Sequence, residues 1–170
     1  MSRSLAGSAA SRFARIVLLG LGALVDALRN TNCSTCEQKD VCWLRVGDLN
    51  GDGHLDVVFG KYVGGTLFRA FGQGNGLFTL DTSLLIATRG PIELGDFNAD
   101  GRMDIALAVT STGALYRFFA LFAQADGSYV GAPYDAWHEG EYARMTGGDV
   151  NGDGKSDLML SGKLLFGSCR

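Results

Sequence analysis

Short apolar runs alternate with glycine-containing polar segments over most of the chain after residue 40. The chain has twenty-five glycines and only two prolines, which favours many tight turns between strands. Asn75-Gly76 and Asp126-Gly127 each follow an apolar run, and both dipeptides tolerate the positive φ of a hairpin turn. The continuous apolar run over residues 105–109 suits a central strand that is buried on both faces. The pattern predicts an all-β protein built from antiparallel sheets.

An acidic nine-residue motif interrupts this pattern three times. It reads DLNGDGHLD from Asp48, DFNADGRMD from Asp96 and DVNGDGKSD from Asp149, at intervals of 48 and 53 residues. Each copy lies between two extended-looking runs, and repeats at such intervals are typical of solenoids and propellers. We therefore expect one small antiparallel sheet per copy, over residues 41–90 and 91–142, with an incomplete third sheet of one or two strands over 143–170.

Length and charge narrow the functional classes. The chain has 170 residues, of which 46% are hydrophobic and 19% charged, as in a soluble globular protein of one domain. Its net charge is −3 and it has no basic run, so binding to nucleic acid through bulk electrostatics is not expected. Nine of the eighteen acidic residues lie in the three motifs, so the negative charge is local and repeated.

The motif has the pattern D-x-N-x-D-G-x-x-D, which predicts a cation site on a tightly coiled backbone. Side chains at positions 1, 3, 5 and 9 and the main-chain carbonyl at position 7 supply only oxygen, the donor set that Ca²⁺ prefers. An EF-hand is excluded because position 12 holds Phe59, Leu107 or Leu160 instead of an acid. An ordinary metal-free turn is the alternative, although carboxylates this close repel one another unless they are neutralised.

The motifs therefore predict up to three Ca²⁺ sites. The candidate ligands that offer a side chain are Asp48, Asn50, Asp52, Asp56, Asp96, Asn98, Asp100, Asp104, Asp149, Asn151, Asp153 and Asp157. At position 7 the backbone oxygen is enough, which explains why His54, Arg102 and Lys155 differ so widely there.

The motifs and the short hydrophobic strands after them resemble the FG-GAP or VCBS repeats of integrin-α-type β-propellers. Phe59-Gly60 and Gly131-Ala132-Pro133 add to this resemblance, which extends from Val41 to the C-terminus. It implies blades of four antiparallel strands, a structural calcium between the first two strands of each blade, and no catalytic residues. A closed propeller needs roughly four to eight blades. We therefore expect an incomplete propeller. Further blades, other copies of the chain or partners would complete it, or the N-terminal segment would cover one of its open faces.

The N-terminal forty residues differ from the repeats. Residues 1–27 have three arginines and then ten apolar residues over positions 16–25, which are too few for a membrane span. A secretory signal is the first interpretation, which places the protein outside the cell. A mitochondrial transit peptide and an apolar helix packed on a blade are the alternatives.

Residues 28–40 form a cysteine-containing linker between this segment and the repeats. Four cysteines are disulfide candidates in an oxidising compartment, with a zinc site or free thiols as the alternatives. They are Cys33, Cys36, Cys42 and Cys169.

Recognition is the functional class that the sequence favours over catalysis. No G-x-S-x-G, P-loop or H-E-x-x-H motif is present. The stretch PYDAWHEGEY over residues 133–142 predicts a solvated inter-strand loop whose aromatic rings pack on the next blade. The alternative is a glycan-binding surface formed by Tyr134, Trp137 and His138. We expect a non-catalytic extracellular adhesion or recognition module for a protein or glycan. The alternative is an accessory domain or subunit of a larger secreted carbohydrate-active enzyme.

Overall fold

The computed structural model describes residues 41–61, 65–81, 83–84, 86–88, 90–110, 115–139, 144–161, 163–165 and 167. Within these ranges the chain forms strands and turns and has no helix, and hence none long and apolar enough to cross a membrane. The predictions for residues 1–40, including Cys33 and Cys36, and for Cys169 lie outside the described residues.

The strands form three antiparallel sheets that follow one another along the chain. Sheet 1 contains β1 (Val41–Gly47), β2 (Asp56–Lys61), β3 (Leu67–Gly72) and β4 (Phe78–Asp81) in that order. Sheet 2 repeats this order with β5 (Ile92–Gly95), β6 (Asp104–Thr110), β7 (Leu115–Ala123) and β8 (Tyr129–Glu139). Sheet 3 contains β9 (Met145–Gly148), β10 (Asp157–Leu160) and β11 (Lys163–Leu165). The predictions of an all-β fold and of antiparallel four-stranded sheets are therefore confirmed.

Two predictions about strands are wrong. Sheet 3 has three described strands, where the sequence predicts one or two. Strand β8 runs for eleven residues and takes in most of the stretch that is expected to be an inter-strand loop. Its pairing with β7 shifts between Arg117 and Phe119 and places Phe119 opposite Pro133. The proline is tolerated because β8 is the edge strand of sheet 2 and can lack an N–H on its open side.

Two apolar layers hold the sheets together. Val58 and Leu67 of sheet 1 share a buried cluster with Ile92 of sheet 2. Phe118 of sheet 2 shares a second buried cluster with Leu158 of sheet 3. Full burial of each such side chain stabilises the fold by about 1.5–3 kcal/mol. The central strand β6 contributes to both layers, which confirms the prediction that residues 105–109 form a strand covered on both faces.

Candidate metal-binding loops

Each acidic motif forms the loop that joins the first two strands of a sheet. We call these loops 1, 2 and 3, for residues 48–56, 96–104 and 149–157. The last residue of each motif starts the outgoing strand and pairs with the residue directly before the motif. These pairs are Gly47 with Asp56, Gly95 with Asp104 and Gly148 with Asp157. A strand pair thus fixes both ends of every loop.

The aspartate at position 1 accepts backbone N–H groups from the middle of its own loop. In loop 1, Asp48 Oδ1 accepts the N–H groups of Gly51 at 2.7 Å and Asp52 at 3.2 Å, and Oδ2 accepts that of Gly53 at 2.9 Å. Loop 3 repeats these bonds at 2.7, 3.1 and 3.0 Å. Loop 2 has the bonds from positions 5 and 6, at 3.0 and 2.8 Å. The carboxylate at position 1 therefore lies inside the coil of the loop.

Positions 3 and 5 are linked in the same way in all three loops. In loop 1, Asn50 Oδ1 accepts the N–H of Asp52 at 3.0 Å, and Asn50 Nδ2 donates to Asp52 Oδ2 at 2.9 Å. Asp52 Oδ1 accepts the N–H of His54 at 2.8 Å. The Asn50 bond and then the backbone bond lower the pKa of Asp52, so the loop favours the ionised form of this carboxylate.

Positive φ angles at positions 4 and 6 produce the coil. Gly53 and Gly101 at position 6 have φ of 82° and 81°, as the motif predicts for the sharp bend. Position 4 also has positive φ, at 74° for Gly51 and 62° for Ala99. The requirement at position 4 is less evident from the sequence, because loop 2 has an alanine where glycine is favoured.

The aspartate at position 9 is fully buried and joins the loop to a more distant part of its sheet. Asp56 Oδ2 accepts the N–H of Leu49 in the loop at 2.9 Å, and Oδ1 accepts the N–H of Gly72 in β3 at 2.8 Å. This second bond crosses sixteen residues of sequence. The sequence predicts Asp56 as a metal ligand alone, because the spacing inside the motif gives no signal for a partner so far along the chain.

The aspartates at position 9 of the other two sheets accept the same two hydrogen bonds. Their pKa values shift in opposite directions. Asp104 accepts the N–H groups of Phe97 at 3.0 Å and Ala123 at 2.8 Å. Burial raises the pKa of Asp104 to about 6, with the two hydrogen bonds acting against it. Asp157 accepts N–H groups at 3.0 and 2.8 Å, and the bond from Gly167 is the main reason why the pKa of Asp157 is lowered.

Position 7 differs most between the loops. In loop 2, Arg102 Nη2 lies 2.6 Å from Asp100 Oδ2, and its Nε donates to the carbonyl of Ala123 at 3.0 Å. Burial alone would raise the pKa of Asp100, but the bonds from Asn98 and Arg102 outweigh it and lower the value. In loop 1, the ring of His54 lies against Gly74. A Cβ added to Gly74 would be 2.5 Å from Cε1 of the His54 ring. In loop 2 a guanidinium therefore pairs with one of the candidate ligands of that loop.

The oxygen donors of the loops are of the type that calcium prefers, but their carboxylates are not already arranged around a metal site. Among the residues that the structure describes, no group of three or more His, Cys, Asp or Glu side chains is arranged to hold a metal ion. Each loop nevertheless adds an asparagine oxygen and a backbone carbonyl to the carboxylates at positions 1 and 5. A carboxylate oxygen that accepts one N–H also keeps a lone pair for a cation. The Ca²⁺ ligands therefore stay a prediction.

A cleft of about 330 Å³ lies between loops 1 and 2. Asp48 and Arg102 line it together with Arg69, whose guanidinium lies 5.2 Å from the ring centre of Phe71 and 5.0 Å from that of Tyr129. The lining of the cleft thus includes acidic, basic and aromatic groups, of which Arg69 is buried and paired with Asp81. The sequence does not predict this cleft, because its residues come from four separate parts of the chain.

The residues predicted to contact a glycan lie elsewhere in sheet 2. Tyr134, Trp137 and His138 are in strand β8, with Trp137 opposite Arg117 and His138 opposite Tyr116 of β7. Their role in binding a glycan stays a prediction.

Comparison with known families identifies one repeat. Residues 48–107, which include loops 1 and 2 and the strands between them, match the FG-GAP-like repeat family. The resemblance predicted from the acidic motifs is confirmed over this range. A search of curated proteins found no match to the chain.

Proposed function

We propose, from the FG-GAP-like repeat at residues 48–107, that the chain is a non-catalytic recognition module whose three acidic loops bind structural Ca²⁺. One observation carries this proposal: the same hydrogen bonds among positions 1, 3 and 5 recur in all three loops. These bonds hold two carboxylates and an amide oxygen over one short coil. A bound cation would offset the repulsion between those carboxylates, and oxygen donors of this kind favour Ca²⁺.

The position of the loops supports a structural role for the ion. Each loop closes the hairpin between the first two strands of its sheet, so a cation bound there would resist separation of those strands. The buried aspartate at position 9 already anchors the loop to the sheet from the other side. Since the ion would bind the folded loop and hardly the unfolded chain, saturating calcium stabilises the sheets.

The cleft between loops 1 and 2 is the surface that we propose for recognition. Its volume of about 330 Å³ is at the lower end of the range for small-molecule sites. Asp48 belongs to both the cleft and loop 1, so calcium in loop 1 would fix one wall of the cleft. A protein loop or a glycan that presents polar groups beside an apolar surface would suit this lining. Calcium-binding modules of extracellular proteins have dissociation constants of about 10⁻⁴–10⁻³ M.

Calorimetry on the full chain tests the calcium sites. We expect heat of binding at millimolar Ca²⁺, and its loss in a triple variant with Asp48→Asn, Asp96→Asn and Asp149→Asn. Asparagine keeps one acceptor oxygen for the backbone but removes the charge. Asp126→Asn, in the turn between β7 and β8, is the matched control and leaves the heat unchanged. No heat with the wild-type chain, or equal heat with the triple variant, would contradict the proposal.

Arrays of glycans and candidate protein ligands test recognition. We expect binding in calcium that weakens in chelator, because the ion stiffens the wall of the cleft that Asp48 supplies. Binding of equal strength in both conditions would show that the loops recognise ligand without the ion.

A further inference from the structure

Neighbouring sheets approach each other closely at the glycine that directly precedes each acidic motif. A Cβ added to Gly47 of sheet 1 would be 3.1 Å from Leu94 Cδ1 and 3.4 Å from Met103 Cε, both in the second repeat. A Cβ added to Gly95, the equivalent glycine of sheet 2, would be 2.6 Å from Ser156 Oγ in loop 3. Each glycine thus leaves room for side chains of the following repeat.

Gly148 is the equivalent glycine of sheet 3, and its space is empty. A Cβ added to Gly148 would meet no atom of the described residues within 4 Å. Val150, at position 2 of loop 3, is 63% exposed. Leu49 and Phe97 have the same position in loops 1 and 2, and the following sheet buries both of them. The face of sheet 3 that points away from sheet 2 is therefore open at its loop end.

Met159 in β10 lies on the same open face. Its neighbours Leu158 and Leu160 point into the layer shared with sheet 2, so the alternation of side chains places Met159 on the opposite side. Met159 is 43% exposed, whereas its equivalents Val58 and Ala106 are fully buried against the next sheet. We call this surface the sheet 3 notch, which consists of Gly148, Val150 and Met159.

Sheet 1 has the matching side chains on its opposite end. Val46 occupies the position that Leu94 has in the second repeat, two residues before the motif. Leu55 occupies position 8 of loop 1, as Met103 does in loop 2. Their counterparts lie over Gly47, but Val46 is 45% exposed and Leu55 57% exposed. We call these two residues the sheet 1 knob, and the knob and the notch are both apolar and open.

We propose that the sheet 3 notch of one copy of the chain receives the sheet 1 knob of a second copy. The contact between copies then continues the arrangement that sheets 1 and 2 have within one chain. It is limited to the loop end of sheet 1, because Val57 and Phe59 farther along that face are already buried. The two copies contribute different surfaces, so the association is head to tail and can extend beyond two copies. The inference depends neither on calcium nor on the cleft.

Sedimentation velocity of the full chain over a range of concentrations tests the proposal. We expect dimers and larger species to form as the concentration of the wild-type chain rises. A wild-type chain that stays monomeric at every concentration would overturn the proposal.

Two variants each remove one side of the contact. Gly148→Leu fills the notch with a side chain that has free space in its own chain. Val46→Thr together with Leu55→Ser removes the apolar knob, and Ser156 shows that position 8 of the motif accepts serine. We expect each variant to associate with itself roughly tenfold more weakly, or less. Val130→Thr, at an exposed valine of β8, is the matched control and associates like the wild-type chain. Equal weakening by this control would contradict the proposed contact.

Mixing the two variants tests the direction of the contact. The knob variant keeps its notch and Gly148→Leu keeps its knob, so we expect the mixture to form a heterodimer that does not grow further. Restored binding would also show that both variants are folded. A mixture that does not associate would overturn the proposal. Dimers of the knob variant alone, as strong as those of the wild-type chain, would also overturn it, because they would indicate a symmetric contact between two sheet 3 faces.

Discussion

Loops 1 and 2 share one backbone arrangement but differ in the charge that surrounds it. In both, the aspartate at position 1 accepts N–H groups from the coil, and the residues at positions 3 and 5 are bonded to each other. Loop 2 adds Arg102, which pairs with Asp100, whereas loop 1 has His54 at the same position and its ring lies against Gly74. The repeated residues thus set the shape of the loop, and a residue that the motif leaves open changes its electrostatics.

The largest effect is expected at position 9, where the two loops are alike. Asp56→Ala and Asp104→Ala each remove the acceptor for two buried backbone N–H groups. An unpaired buried donor costs about 1–3 kcal/mol, so we expect each variant to lose about 3 kcal/mol of unfolding free energy. Urea denaturation in chelator measures this loss.

The control for this experiment is Asp126→Ala, which changes an exposed aspartate and leaves the unfolding free energy nearly unaltered. We expect the loss at Asp56 and Asp104 to be as large in chelator as in calcium. A loss confined to calcium would mean that position 9 acts through the ion, and unequal losses would show that the two sheets differ beyond Arg102.

This contrast shows which structural features can be predicted from the sequence. The motif and its flanking runs predict that each loop joins paired strands, because those features are local and repeated. The bond from Gly72 to Asp56 is not predictable, since its partners lie in different strands and the motif spacing does not contain Gly72. Strand β8 is not predictable from its local sequence either. The polar residues of 133–139 favour a loop, but pairing with β7 outweighs that preference.

The next effect concerns calcium, so it rests on the proposed sites. Asp52→Ala removes a carboxylate from loop 1, and we expect a melting midpoint about 5 °C lower in saturating calcium but nearly unchanged in chelator. Asp100→Ala is the matched change in loop 2. We expect a smaller loss of calcium stabilisation there, because Arg102 already neutralises part of the charge of that loop.

An equal loss of calcium stabilisation in Asp52→Ala and Asp100→Ala would contradict the expected difference between the loops. A drop of the same size in chelator as in calcium would instead assign these aspartates to the turn alone. Differential scanning calorimetry of the two variants in both conditions distinguishes the three results.

A smaller effect is expected when the extra charge of loop 2 is removed. Arg102→Gln takes away a cation that lies 2.6 Å from a candidate ligand. The repulsion of one such charge at a solvated site is about 1 kcal/mol, so we expect Ca²⁺ to bind loop 2 roughly fivefold more tightly. Titration calorimetry measures this in a background with Asp48→Asn and Asp149→Asn, which leaves loop 2 as the one intact motif.

The matched change in loop 1 is His54→Gln, measured with Asp96→Asn and Asp149→Asn in the background. We expect its affinity for Ca²⁺ to change less than twofold, because the ring of His54 lies against Gly74. An equal gain in both loops would show that the glutamine itself, and not the lost charge, strengthens binding.

The smallest effect is expected at position 4, where the loops have the same backbone angle and different residues. Ala99 in loop 2 has φ of 62° and Gly51 in loop 1 has φ of 74°. A side chain at positive φ is strained by contact between its Cβ and the backbone, whereas glycine is not. An added Cβ at Gly51 would meet no other atom within 4 Å, so packing does not enter the comparison. We expect Ala99→Gly to raise the unfolding free energy by about 0.5–1 kcal/mol and Gly51→Ala to lower it by about the same amount. Denaturation in chelator measures both, and two changes of the same sign would show that the loops do not share one backbone after all.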